Sequence, residues 1–249
     1  MARIDLLTLR VTAPAHQTQF YRDVLGMKER GDDCVGYADA EARLRFVQAD
    51  APYASQKSDL YWKIALSVPN IELAYEQLRK AGVDCSEPHQ FEDVGYLAHF
   101  TDPEGFTIEL IDHAFKGDRT PFALDETRLG GGAHLSLVTL RTAEIDEVEP
   151  TLLGWGMRKL SVQHLTAYGF TLHFYAFTDE APPNADLASV ENRTWVYQRP
   201  YTVLELQHIH RLSEERRPPQ SEGGYDRLTF TAQKPLSPLR RLNIDWSQR

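Results

Sequence analysis

Two glutamates interrupt apolar segments whose side chains alternate as they do in a β-strand. Glu109 lies in FTIELID and Glu205 lies in TVLELQHI, and each segment follows a proline-containing turn. An ionised carboxylate that is buried without a partner costs several kcal/mol, so each glutamate needs a cation, a metal ion or hydrogen-bond donors nearby. The repeated phrase therefore predicts two inward-facing carboxylates, each with a polar site around it.

Histidines supply further candidates. His99, in YLAHFTDP, comes one strand before Glu109, and it could face the same site or be structural. His208 and His210, in QHIH, fall on one face of a strand; their spacing is compatible with metal binding and also with two exposed residues at a strand end. The three glycines at 130–132 precede neither a helix nor a GKS or GKT sequence, so we predict no nucleotide cofactor.

Composition limits the classes of function. The 249 residues carry a formal charge of −9, and 42% of them are hydrophobic, which is typical of a globular protein and unlike a nucleic-acid-binding surface. No apolar stretch approaches the length of a membrane span, and the first residues lack the pattern of a secretory signal. Cys34 and Cys85 are the only cysteines. We expect two buried thiols, no membrane or nucleic-acid partner, and a cytoplasmic location.

An internal repeat organises the chain. LLTLRV, beginning at Leu6, alternates as a strand does; the next residues have helical spacing, and short strands follow. The same βαβββ order recurs from Leu60, with Asn70 as a candidate N-cap. We predict units at about 1–52 and 60–115, which together form one domain, followed by a linker at 116–133.

A second domain is predicted at 134–249, with one full unit and one truncated unit. The third unit starts at His134, and Pro150 should break or kink its helix. Its last strand is expected to span TWVYQRPYTVLELQHI. The fourth unit begins with YDRLTFTAQ and should lack its remaining three strands.

The phrases FYRDVLGM and DPEGFTIELID resemble the vicinal oxygen chelate superfamily, which includes glyoxalase I, extradiol dioxygenases and bleomycin-resistance proteins. The resemblance covers nearly all of residues 1–115 and, more loosely, residues 134–232. It implies an α+β fold in which paired βαβββ units curl into cups. It also implies a divalent ion held by a His or Gln near the start of each unit's first strand and by a Glu on each last strand.

In the first two units, the resemblance places these ligand positions on Leu6, Arg45, Lys63 and Glu109. Only Glu109 is a metal ligand, so an N-terminal cup would contain two cations around one anion. One reading is an anionic ligand clamped by Arg45 and Lys63, with Glu109 orienting the lysine. The other is a salt bridge that remained after the metal was lost.

In the third unit, matching LLGW at 152–155 to VLGM at 24–27 places His134 on the first-strand ligand position and Glu205 on the last-strand position. His173, in FTLHFYAF, could turn inward beside Glu205. These three residues could hold Ni, Zn, Fe or Mn with open coordination positions. The corresponding position of the fourth unit is Arg227, which would repel an ion, so the alternative is a Glu205–Arg227 pair with structural histidines.

Two functions therefore remain open. The first is a metal-dependent lyase similar to lactoylglutathione lyase, or a dioxygenase, that acts on a small oxygen-rich substrate with Glu205 as the catalytic proton shuttle. The second is metal-free binding of a small aromatic or anionic molecule, similar to bleomycin-resistance proteins. In that case Arg45, Lys63, Glu109 and Arg227 would set the polarity, and Trp62, Trp195 or Tyr197 would stack on the ligand. The strand edges of the truncated half should be covered by the first domain or by a second molecule, and we expect a homodimer, as is common in the superfamily that the chain resembles.

Overall fold

The computed structural model describes residues 2–121, 123–234 and 236–248, and it consists of two curled sheets with helices packed on their outer faces. The first unit contains β1 (Arg3–Val11), α1 (Pro14–Asp23), β2 (Lys28–Glu29), β3 (Cys34–Gly36) and β4 (Arg43–Gln48). The second contains β5 (Tyr61–Val68), α2 (Ile71–Lys80), β6 (His89–Phe91), β7 (Gly95–Thr101) and β8 (Thr107–Asp112). Both units have the βαβββ order that the periodicity predicts.

The third unit contains β9 (His134–Thr142), α3 (Ile145–Gly154), β10 (Arg158–Leu165), β11 (Phe170–Ala176), α4 (Glu191–Tyr197) and β12 (Val203–Ile209). The fourth contains β13 (Gly224–Ala232) and β14 (Ile244–Gln248), with a short 3₁₀ turn between them at Arg240–Leu242. Two other 3₁₀ turns occur at Leu129–Gly131 and Thr166–Tyr168.

The units do not pair with their neighbours in sequence. The eight-stranded sheet has the order β10-β11-β12-β9-β5-β8-β7-β6, so it joins the second and third units. The six-stranded sheet has the order β14-β13-β1-β4-β3-β2, so it joins the first and fourth. The expected pairing within 1–115 and within 134–249 is therefore wrong. Periodicity defines a unit, but the open edge of its first strand can be completed by the first strand of any other unit.

Three local predictions also need correction. The helical segment α4 replaces the first part of the expected strand TWVYQRPYTVLELQHI, and β12 begins only at Val203. The helix α3 runs through Pro150, so the break that was one of the two expected outcomes does not occur there. The fourth unit does have a last strand, because β14 lies parallel to β13.

The predicted linker packs on α2. Gln77 accepts a hydrogen bond from the Gly130 N–H at 2.8 Å, and the Asn70 N–H donates to the Gly130 carbonyl at 3.0 Å. Gly130 has a φ of +56° beside the Val68 side chain, a conformation and a close approach that favour glycine. As predicted, Asn70 caps α2 by accepting from the Leu73 N–H.

Two hydrophobic clusters hold the fold together. The larger one fills the space between the outer sheet faces and the helices, and the smaller one lines the inner face of the eight-stranded sheet around Leu137 and Tyr197. Cys34 and Cys85 are buried free thiols, as expected. No helix in the described residues is long and apolar enough to cross a membrane.

Candidate functional site

Three buried charged residues meet on the inner face of the eight-stranded sheet. Lys63 comes from β5, Glu109 from β8 and Glu205 from β12, and their exposures are 2%, 5% and 2%. The Lys63 Nζ lies 2.8 Å from Glu109 Oε1 and 3.7 Å from Glu205 Oε1. Both glutamates of the repeated phrase thus point inward, and one ammonium group lies between them.

The two glutamates differ in how well they are satisfied. Glu109 accepts from Lys63 on one oxygen, and its other oxygen lies 3.1 Å from His99 Nε2 on β7. Glu205 Oε1 has no hydrogen-bond partner among the described residues, since the ammonium is too distant for a good hydrogen bond. Glu205 is therefore the carboxyl group that remains available to another molecule.

Burial and neighbouring charges separate their pKa values. Burial raises the pKa of Glu205 to about 7; the nearby Glu109 adds to the rise, and Lys63 offsets only part of it. Burial also acts to raise the pKa of Glu109, but Lys63 and His99 outweigh it and hold this pKa well below its usual range. Burial works against the charged form of Lys63, yet the two carboxylates raise its pKa. Near neutral pH, Lys63 and Glu109 are charged, and Glu205 takes up or releases a proton.

A cavity of about 280 Å³ opens onto this charged group. Its polar end is formed by Lys63, Glu109, Glu205 and the half-buried His99. The other walls are mostly apolar or aromatic and consist of Trp62, His89, Phe91, Val94, Leu97, Ile111, Leu137, Phe170, Leu172 and Tyr197. The cavity can thus hold an apolar body while its polar end contacts a few ligand atoms.

Two of the three predicted stacking residues line the cavity. The ring of Trp62 lies 4.7 Å from Lys63 Nζ, measured from the ring centroid. Tyr197 is fixed as a wall, because its hydroxyl donates to the Val94 carbonyl and accepts from Gln163, each at 3.0 Å. Trp195 instead packs against Arg199, whose guanidinium lies 4.1 Å from the indole centroid.

Arg45 and Arg227 lie in the other sheet, away from Lys63 and Glu109. Arg45 donates to the Asp32 carbonyl, and Arg227 pairs with Asp226 and Asp245 at 2.8 and 3.1 Å. The expected anion clamp between Arg45 and Lys63 and the alternative Glu205–Arg227 pair are therefore both wrong. Both predictions depended on pairing the first unit with the second and the third with the fourth, whereas the sheets pair the first with the fourth and the second with the third.

Strand register identifies the true counterparts of the family's ligand positions. Glu109 pairs with Ala65, two residues after Lys63, and Glu205 pairs with Thr139, two residues after Leu137. The first-strand position of the third unit is therefore Leu137, so the assignment of His134 is wrong. Matching VTLR at 138–141 to LTLR at 7–10 aligns Leu137 with Leu6, so the sequence does contain a signal for the correct position.

His134 and His173 do not accompany Glu205. His134 begins β9, five residues before Thr139, which is a separation of about 16 Å along the strand. Its ring lies 5.5 Å from that of His113, and burial lowers the pKa of both rings to about 4. His173 alternates with the cavity residue Leu172 on β11, so it faces the opposite side of the sheet.

The cavity residues do not fit the divalent ion that the family resemblance implied. Lysine and leucine stand at the two first-strand positions, and the Lys63 ammonium already contacts the surviving carboxylates. Within the described residues, no group of three His, Cys, Asp or Glu side chains is arranged to hold a metal ion. A divalent ion here would have two carboxylate ligands and a cationic neighbour that repels it.

Comparisons with known proteins agree with this fold. Residues 3–110 match the Glyoxalase/Bleomycin resistance protein/Dioxygenase superfamily, so the resemblance in the sequence is confirmed for that part of the chain. Glyoxalase I from Zea mays superposes with a TM-score of 0.62 at 17% identity, covering 93% of this chain and 74% of that one. A candidate dioxygenase from Bacillus subtilis gives 0.57 at 17% identity, covering 92% and 70%. Among curated protein sequences, none is significantly similar to this chain.

Proposed function

We propose that the cavity of the eight-stranded sheet binds a small molecule without a metal ion. The observation that carries this proposal is the position of Lys63, whose Nζ lies 2.8 and 3.7 Å from the two carboxylates that would otherwise hold an ion. The lysine supplies the positive charge that the buried glutamates need. Of the two functions that the sequence leaves open, metal-free binding fits these residues better.

The ligand would combine an apolar body with a polar end. The volume of about 280 Å³ is at the lower limit of small-molecule sites, and the aromatic walls suit a ring or a short branched chain. At the polar end, the ammonium of Lys63 can donate to a ligand oxygen. Glu205 Oε1 can accept from a ligand hydroxyl or N–H, which would satisfy a buried atom that has no partner within the described part of the chain.

The charge of the site favours neutral ligands. Lys63 and Glu109 cancel each other, and Glu205 adds a negative charge only as the pH rises through its pKa of about 7. A carboxylate on the ligand would be repelled by ionised Glu205, whereas a phenol or alcohol can donate to it. We therefore propose a neutral, hydroxyl- or carbonyl-bearing ligand.

A second function is favoured by the position of Glu205, a buried carboxyl group that lines the cavity and whose pKa burial raises to about 7. A carboxyl group with such a pKa exchanges protons readily at neutral pH, and the adjacent Lys63 can stabilise an oxygen anion. Glu205 would then be a catalytic residue that moves a proton to or from the bound molecule.

Binding can be tested with phenol, benzoate and benzyl alcohol, followed by NMR shifts of cavity residues and by Trp62 fluorescence. At pH 8, phenol and benzyl alcohol should bind more tightly than benzoate. Leu137→Phe should weaken their binding by filling the cavity, whereas Arg227→Phe, at the corresponding position of the other sheet, should leave it unchanged. Shifts that are confined to residues outside the cavity would refute the proposal.

The absence of a metal requirement needs its own measurement. The protein is treated with a chelator, desalted and then titrated with Ni²⁺, Zn²⁺, Fe²⁺ or Mn²⁺ while phenol binding is followed. We expect unchanged affinity for phenol. Tight binding of an ion that is lost in both Glu109→Gln and Glu205→Gln would restore the metal-dependent alternative.

A further inference from the structure

Four of the nine histidines lie on the outer face of the eight-stranded sheet, the side opposite the cavity. In the strand register, His164 on β10 and His208 on β12 both pair with Thr171 on β11. His173 lies two residues beyond Thr171, and His210 lies two residues beyond His208, so all four side chains share one face. We call these four residues the histidine cluster.

Three members of the histidine cluster are close together. The ring centroids of His173 and His208 are 6.4 Å apart, and those of His208 and His210 are 5.3 Å apart. His210 is held near β11 by a contact of 3.0 Å between its Nε2 and the Thr171 hydroxyl. His208 thus stands between two other imidazoles.

His173 is unusual because it is buried and unsatisfied. Its exposure is 8%, and neither ring nitrogen has a hydrogen-bond partner within the part of the chain that the structure describes. Buried polar groups normally have a partner, so this ring is a candidate ligand for an ion.

We propose that His173, His208 and His210 form a surface site for a divalent transition metal such as Zn²⁺, Ni²⁺ or Cu²⁺. Imidazole nitrogens are preferred ligands of these ions. Two imidazoles on one zinc ion, each with a Zn–N distance of about 2.0–2.1 Å, have centroids about 5 Å apart. The separation of 5.3 Å between His208 and His210 is close to this value, and the 6.4 Å between His173 and His208 is longer.

The three donors are not preassembled, since no set of three metal-binding side chains is in place among residues 2–121, 123–234 and 236–248. An ion would gather them by side-chain rotation. His208 is partly exposed and His210 is exposed, so both rings have room to turn toward His173.

The charged groups around the site are compatible with an ion. Lys159 is the nearby cation, and its Nζ pairs with Glu149 Oε2 at 2.5 Å, which offsets its charge. The same Glu149 oxygen lies 4.0 Å from His173 Nδ1. Once His173 binds an ion through Nε2, Glu149 can orient the ring through Nδ1, as carboxylates commonly do behind metal-binding histidines.

The test is calorimetric titration of untagged full-length protein with Zn²⁺ and Ni²⁺ at pH 7.5. We expect one ion for each chain, and His208→Gln or His210→Gln should weaken binding at least about tenfold, because even second-shell changes cost about that much. His16→Gln, on α1, is the matched control and should bind as the parent protein does. Circular dichroism verifies that each variant is folded.

A second readout identifies the donors. Bound Cu²⁺ should give an electron paramagnetic resonance spectrum with nitrogen hyperfine coupling, and this coupling should diminish in His208→Gln. Equal affinity in the parent, His208→Gln and His210→Gln would overturn the proposal. Loss of binding in Glu205→Gln but not in His208→Gln would assign the ion to the cavity and would overturn both this inference and the metal-free function.

Discussion

Four strand positions are equivalent in the two sheets, but the charged side chains at these positions are buried in one sheet and at least partly exposed in the other. In the eight-stranded sheet these positions are Lys63, Glu109, Leu137 and Glu205, which are buried around a cavity. In the six-stranded sheet, strand register gives Leu6, Arg45, Arg227 and Asp245 as their counterparts. There the charged side chains are partly or fully exposed, and the acidic residue pairs with an arginine beside it.

The difference lies in the strands that curl over the inner face. The eight-stranded sheet continues beyond its central strands through β6 and β7 on one side and through β10 and β11 on the other. In the six-stranded sheet, β2 and β3 have only two and three residues, and among the described residues no strand lies beyond β14, the counterpart of β12. The charged side chains at these backbone positions are therefore buried only in the sheet whose outer strands include β7, β10 and β11, which have seven or eight residues each.

Replacing Lys63 should have the largest effect. Lys63→Met leaves two carboxylates buried without a cation, so we expect a loss of about 3–5 kcal/mol in the free energy of unfolding at pH 8. Part of this loss should be recovered as the pH falls, because the carboxylates can then be protonated. Urea denaturation at pH 8 and pH 5 measures both effects. A small loss at pH 8 would mean that water reaches the site.

Glu205→Gln should change the pH dependence of the free energy of unfolding by less than the loss expected for Lys63→Met, and the sign of the change follows from the raised pKa of Glu205. The pKa of Glu205 is raised from 4.5 to about 7, so its contribution to stability is full at low pH and is lost as the pH rises toward 7. Relative to the variant, the parent protein should lose roughly 1–3 kcal/mol between pH 4.5 and pH 8.

Glu109→Gln should change the pH dependence of the free energy of unfolding in the opposite direction. The pKa of Glu109 is lowered, so its contribution is present at neutral pH and is lost as the pH falls through its depressed value. Urea midpoints at several pH values for both variants provide the comparison. Parallel pH profiles would contradict the separate roles of the two glutamates.

The smallest effect is expected in the six-stranded sheet. Arg227→Met removes the ion pairs of an exposed guanidinium with Asp226 and Asp245, and Asp226 keeps its pair with Arg10, so the free energy of unfolding should change by less than about 1 kcal/mol. It is the matched control for Lys63→Met, since both changes remove a cation from the family's first-strand position. A loss as large as that of Lys63→Met would erase the distinction between the sheets.

Periodicity and local phrases predicted the units, the cap at Asn70 and the inward direction of Glu109 and Glu205. Those features depend on alternation and on short-range chemistry, which one sequence contains. The pairing of units was not predictable in this way, because β1 can complete its edge with β5 or β13 equally well by pattern. The wrong predictions of an Arg45–Lys63 clamp and a Glu205–Arg227 pair both followed from pairing the units in their sequence order.

The error for His134 has a different cause. The match of LLGW at 152–155 to VLGM at 24–27 places the first-strand position on His134, a possible metal ligand. The correct residue is Leu137, whose apolar side chain cannot bind a metal ion and therefore gives no chemical signal in the sequence. His173 was expected inside because it alternates with bulky residues, but both faces of β11 are buried, so alternation does not distinguish them.

The pairing of β1 with β13 has a consequence for how the protein is made. β13 follows β1 in the sequence by more than 200 residues, so the six-stranded sheet is completed only after this long intervening stretch has been synthesised. Until then β1 exposes an unsatisfied edge that can join another nascent chain. Such long-range pairing slows folding, so yield during expression should be more sensitive to temperature and chaperone supply than the final stability suggests.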